Sequence, residues 1–190
     1  MRTVSRSSRP VDGAAGVRLV RVSTLRHIEG FSERRVAWLM DKICRERVWT
    51  RPVCLAPVLD ANGKRVHLVL DGQHRTEVAL RLELRDVPAL LFDYEQVEVF
   101  SLRPSHVVSV ARVIERTLAG DPYPYKTVKH RFATPIPELS LPLAELEGAS
   151  ARERRGRARS GARSGPGTTK KGPPASTRRT TKNRRLERCG

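Results

Sequence analysis

Five consecutive residues concentrate the polar chemistry of this chain: Asp71, Gly72, Gln73, His74 and Arg75, which follow the apolar run 66–70 and precede a helical pattern with Val78, Ala79 and Leu82 inside. A helix that begins at such a junction leaves backbone N–H groups unpaired and carries a partial positive charge at that end. Phosphate oxygens satisfy both, provided the backbone can come close, which Gly72 allows. Arg75 can fork two hydrogen bonds onto a phosphate, His74 can add a donor, and Asp71 can hold a magnesium ion or cap the helix. Judged on spacing alone, the same residues equally describe a plain helix start, with Asp71 as N-cap, Gly72 easing a turn, and His74 and Arg75 in solvent.

The elements that must position this turn can be read on either side of it. Residues 17–22 alternate apolar and charged side chains, as a half-buried strand does, and residues 24–31 read as an irregular loop carrying His27 and Glu29. Ser32 suits an N-cap with Glu33 in the first turn, and Val36, Leu39, Met40 and Ile43 repeat at helical spacing. Residues 52–59 and 65–70 flank Asp60-Ala61-Asn62-Gly63, an Asn-Gly hairpin signal. Strands are expected at 87–92 and 97–102, and Pro104 is expected to open a second long amphipathic helix in which Val107, Val110, Ala111, Ile114 and Leu118 share a face and Gly120 ends it. Five prolines in residues 121–146 predict mostly extended chain packed over the core.

Composition divides the 190 residues into three parts. Residues 1–16 are polar and without periodicity, and read as a flexible leader. Residues 149–190 are Arg, Lys, Gly, Ser, Thr and Pro with almost no apolar side chains, too few to offset the entropy of ordering them, so a disordered tail is expected. Residues 151–190 hold 14 of the 37 basic and 2 of the 20 acidic residues, a net +12 out of the whole chain's +17, whereas residues 11–148 carry only +2. One small α/β domain over residues 17–148 remains, a size that leaves no room for two catalytic domains. Cys44, Cys54 and Cys189 lack CxxC spacing and read as reduced thiols. No apolar run approaches the ~18 residues of a membrane span, and the expected location is the cytoplasm.

Residues 25–94 resemble the ParB N-terminal, sulfiredoxin-like superfamily, and most closely its free L-serine kinase branch with the siderophore-associated members. Leu25-Arg26-His27-Ile28-Glu29 and Glu33-Arg34-Arg35-Val36 are similar to that branch's Leu-Arg-Pro-His-Glu and Glu-Arg-Val pieces. Val48 through Val53 matches the step from first helix to strand, and Leu70 through Arg75 matches Leu-Asp-Gly-His-His-Arg, continued by Val87-Pro88 and Phe92-Asp93-Tyr94. Tyr125-Lys126-Thr127-Val128-Lys129-His130 is similar to a Pro-Lys-Thr-x-x-His segment. The resemblance implies a small mixed sheet with packed helices. It also implies a phosphotransferase using ATP or ADP with Mg2+, in which Glu29 takes the proton from the hydroxyl of serine or a related small molecule. Asp71 through Arg75 would hold the nucleotide phosphates, Asp71 the metal, and Lys126, Thr127 and His130 the acceptor. Two positions depart from the pattern: Gln73 replaces a histidine, and Leu102 stands where a tryptophan precedes the arginine, so the acceptor need not be free serine.

Two other classes compete. A ParB-like DNA-binding regulator would use the tail on phosphate backbone, a largely sequence-independent and salt-sensitive attraction to nucleic acid. It would need a helix-turn-helix after the domain, and here one helix runs into proline-rich chain; the tail also has no aromatic residue to stack on bases. A sulfiredoxin-type reductase would need a cysteine at the phosphate turn, and residues 71–75 contain none.

Overall fold

The computed structural model describes residues 8–11 and 16–148. The expected tail, Cys189 and the rest of the leader lie outside these residues. In chain order the elements are β1 (Ser8–Pro10), β2 (Arg18–Arg21), β3 (Leu25–His27), α1 (Glu33–Glu46), β4 (Val48–Trp49), β5 (Val53–Leu59) and β6 (Arg65–Asp71). They continue with α2 (Gln73–Arg81), β7 (Asp86–Leu91), β8 (Glu98–Ser101), α3 (Val110–Leu118), β9 (Val128–Arg131), β10 (Leu141–Pro142) and α4 (Leu143–Leu146).

Six strands form a mixed sheet in the order β1-β2-β7-β5-β6-β3. β5 and β6 pair as the antiparallel hairpin that Asn62-Gly63 signals, while β5 with β7 and β3 with β6 run parallel. Both faces of the sheet are covered over its centre, which is why β6 is buried at 66–70 and β5 at 53–56, while β5 emerges into solvent toward Leu59 at the hairpin end. Side chains alternate between the faces with the period of two. Val53, Leu55 and Val69 point into a core with Val36 and Ile43 of α1, Val78 and Ala79 of α2, and Trp49. Cys54, Ala56, Leu68 and Leu70 point into a second core with Ile28, Tyr94, Val113, Tyr123 and Val128.

Several expectations needed correction. Residues 25–27 are a strand, β3, because their backbone completes the edge of β6 in parallel register, Leu25 opposite His67 and His27 opposite Val69. Ser8–Pro10 of the expected leader pairs with β2, covering what would otherwise be an open strand edge. The helix expected from Pro104, α3, does not begin there: Ser109 caps it, its hydroxyl accepting the N–H of Arg112. Val107 is therefore exposed, and Val113 and Thr117 are buried in place of Ala111 and Leu118. β8 pairs with β9 in a separate two-stranded sheet. Cys54 is buried and free, as expected, but Cys44 is disulfide-bonded. No helix of the described residues is long and apolar enough to cross a membrane.

Candidate active site

The strand-to-helix turn departs from a plain helix start at its first residue. Gly72, not Asp71, occupies the N-cap of α2, with φ +99°, and no side chain accepts from the first-turn N–H groups. A Cβ at this position would lie 2.8 Å from Val53 Cγ1 and 3.2 Å from Arg75 Nη2, so only glycine fits both the dihedral and the space. Asp71 is drawn elsewhere: its Oδ2 accepts from Arg75 Nη2 at 3.0 Å. Burial lowers the Arg75 pKa, opposed by the neighbouring Asp71 carboxylate, and the Nε of Arg75 is buried without a partner.

His74 and Gln73 leave this turn in different directions. His74 Nε2 accepts the backbone N–H of Ser32 at 3.1 Å, which places the ring proton on Nδ1 and couples the starts of α1 and α2. Burial and the nearby Arg35 and Arg75 lower its pKa, so the ring is a neutral donor. Gln73, expected at the phosphates, is instead buried: its amide donates to the Val69 carbonyl at 2.5 Å and accepts from His27 Nδ1 at 2.7 Å. Only its backbone N–H remains for a ligand. Farther along, Arg81 of α2 holds both oxygens of Glu33 and one of Glu77, bracing the two helices.

Glu29 follows β3 and is clamped by chain from beyond α3. Ile28 and Gly30 exchange backbone hydrogen bonds of 2.8 Å with Tyr123, and Glu29 Oε2 accepts the N–H groups of Thr127 (2.9 Å) and Val128 (3.0 Å). Burial raises the Glu29 pKa; the N–H groups of Val128, Thr127 and Lys126 and the charge of Arg103 oppose the rise. Arg103 also donates to the carbonyls of Tyr125 (2.6 Å) and Lys126 (3.3 Å), fixing the loop in which Lys126 takes a left-handed φ of +59°. Burial thus keeps the carboxylate basic while the clamp aims it.

The three residues expected at the acceptor differ in availability. Lys126 is exposed, with its ammonium 5.5 Å from the Tyr125 ring centroid. Thr127 is fully buried with an unpartnered hydroxyl. His130 has both nitrogens occupied, Nδ1 donating to the Leu70 carbonyl at 3.0 Å and Nε2 accepting from Tyr94 Oη at 2.9 Å, and burial pushes its pKa down to about 4. It fastens β9 to the end of β6 while lining the cleft.

All nine of these residues except Thr127 line one cleft of about 540 Å3. Leu102, half exposed, lines it too, as do Arg35 and Trp38 of α1, which sequence reasoning passed over. No group of three potential metal-ligating side chains occurs among the described residues. Asp71 is a lone carboxylate at the strand-to-helix turn, a donor set that would fit an ion held mainly by ligand phosphates and water.

No family model matches the chain. Over 99 residues, 51% of the chain, it is 31% identical to an ATP-dependent L-serine kinase of Staphylothermus marinus. Those residues cover 38% of that kinase, so the chain spans well under half of its relative's length. A free serine kinase variant in complex with AMP superposes with a TM-score of 0.60 at 12% identity, covering 67% of this chain and 92% of that one. Another variant, in complex with ADP, gives the same TM-score and identity. SbnI from Staphylococcus aureus, with a C-terminal truncation, gives a TM-score of 0.60 at 12% identity and covers 77% of this chain and 98% of its own. The chain has the fold of the free serine kinases, the branch that its sequence blocks resemble.

Proposed function

We propose that the protein is a nucleotide-dependent small-molecule kinase, moving the terminal phosphoryl group of ATP or ADP to the hydroxyl of serine or a related acceptor. One observation carries the reading: a half-buried glutamate with a raised pKa shares a single cleft with a helix N-terminus that no side chain caps. Phosphoryl transfer asks for little more than an aligned hydroxyl, a base, and donors on the phosphoryl oxygens. Neighbours of the same fold are free serine kinases solved with AMP and ADP, which supports a nucleotide as the ligand of this cleft and a serine-like molecule as its acceptor.

The first-turn N–H groups of α2 and the guanidinium of Arg75 receive the phosphates, and Nδ1–H of His74 is a further donor. Glu29 accepts the hydroxyl proton as the acceptor oxygen bonds to the terminal phosphorus. The bond from that phosphorus to its bridging oxygen breaks, and ADP leaves from ATP, or AMP from ADP. Lys126 faces the carboxylate of the acceptor. Asp71 would hold a magnesium ion, which when bound neutralises charge on the phosphates. Leu102 presents an apolar wall at the cleft, favouring an acceptor with more hydrocarbon than serine.

Phosphorus NMR of the protein with magnesium, ATP or ADP, and L-serine tests the proposal beside Glu29→Gln and Asp71→Ala. Phosphoserine, or the phosphate ester of a bulkier hydroxy amino acid, should form and fall by at least about 100-fold in Glu29→Gln while nucleotide still binds. Equal turnover in Glu29→Gln would remove Glu29 as the base.

A further inference from the structure

Trp38 is the largest exposed apolar side chain on the cleft wall, 57% accessible, and the core does not need it. At about 100° per residue, Trp38 lies on the far side of α1 from Val36, Met40 and Ile43, whereas Arg35 and Lys42 fall on its own stripe. The Lys42 ammonium stands 5.8 Å from the indole centroid and is not among the residues lining the cleft, which Arg35 and Trp38 both line. The head of α1 meets the strand-to-helix turn, because the backbone N–H of Ser32 donates to His74 Nε2. Six residues along the helix, Trp38 is about 9 Å from Ser32, the scale of the span between a nucleotide's phosphates and its base.

We infer that Trp38 is the stacking platform for the nucleobase, with Arg35 between it and the phosphates. This rests on the nucleotide reading above but not on catalysis. Stacking uses the π face of the indole and reads no donor and acceptor pattern, so adenine and guanine should be accepted alike. The cation at Lys42 polarises the same ring.

The chain has two tryptophans, and the other, Trp49, is buried with its indole N–H bonded to the Arg51 carbonyl. Nucleotide binding to the full chain should therefore quench the emission of Trp38 selectively. ADP and GDP should bind within a few-fold of each other, Trp38→Ala should weaken both about tenfold, and Trp38→Phe should retain most of the affinity. Inorganic tripolyphosphate should bind wild type and both variants equally. Unchanged ADP affinity in Trp38→Ala, a loss shared by tripolyphosphate, or no ADP binding by the wild type would each overturn the inference. If the binding pattern holds and no hydroxyl acceptor is phosphorylated, the platform stands and the kinase reading falls.

Discussion

Replacing Gly72 with alanine gives the most direct test of how the phosphate turn is built. The residue sits at φ +99°, where a side chain costs about 1 to 3 kcal/mol. Its new Cβ would approach Val53 Cγ1 to 2.8 Å, and Val53 is fully buried in β5, so overpacking adds roughly 1 to 3 kcal/mol. Reduced freedom of the unfolded chain returns about 0.4 to 1 kcal/mol. The net expectation is a loss of about 1 to 6 kcal/mol, or roughly 3 to 18 °C in Tm for a domain of this size. Thermal and urea melts followed by circular dichroism read the loss, and calorimetric titration with ADP reads the site. The affinity should fall further than stability alone explains, because the Arg75 guanidinium lies 3.2 Å from the new atom and must move. In a double-mutant cycle with Val53→Ala, the steric part should appear as a favourable coupling of about 1 to 3 kcal/mol. A Gly72→Ala protein that melts within about 2 °C of wild type and binds ADP equally would refute this account of the turn.

Arg103→Ala should free the 125–126 loop and remove a positive charge beside Glu29. The Glu29 pKa then rises, and since the base must be ionised, the acid limb of the rate profile should move to higher pH; an unmoved limb would exclude the coupling. His67 and His130 have pKa values pushed down to about 4 by burial, below the ordinary value near 6.5. As pH falls through that window the unfolded chain takes up protons first, so the urea midpoint should decline from pH 6.5 toward 4, and a flat midpoint would contradict the burial of both rings. Deleting residues 149–190 should abolish salt-sensitive binding to DNA, measured by fluorescence anisotropy, while leaving nucleotide turnover intact; a collapse of turnover would put the tail in the site.

The parts of the fold visible in the sequence were those set by local chemistry. The Asn62-Gly63 hairpin, the Ser32 cap and the junction from β6 to α2 are carried by neighbouring residues, and they stand where expected. β3 was not visible because three residues give no period to read, and its strand state comes from pairing with β6, far away in sequence. Pro104 misled because a proline suits a helix start, yet Ser109 supplies a cap with a side-chain acceptor closer to the apolar face. At the candidate site, residue types marked the glycine turn at the head of α2, but the occupation of Gln73 by His27 and Val69, and of His130 by Leu70 and Tyr94, depends on tertiary partners. Trp38 did carry a signal: it lies off the buried stripe of its own helix.

The small β8–β9 sheet has no strand pairing to the six-stranded one. What joins them near the cleft are the bonds of Glu29 to Thr127 and Val128, of Tyr123 to Ile28 and Gly30, and of His130 to Leu70. A structure fastened this way can open in two stages, with amides of β9 exchanging with solvent more readily than those of β5 and β6. Glu29, on the large-sheet side, and the N–H groups that hold it, beside β9, thus sit on either side of this junction. A brief release of the smaller sheet would free Glu29 while the turn between β6 and α2 kept its shape; under the proposed function, that is a state able to hold nucleotide but not to spend it.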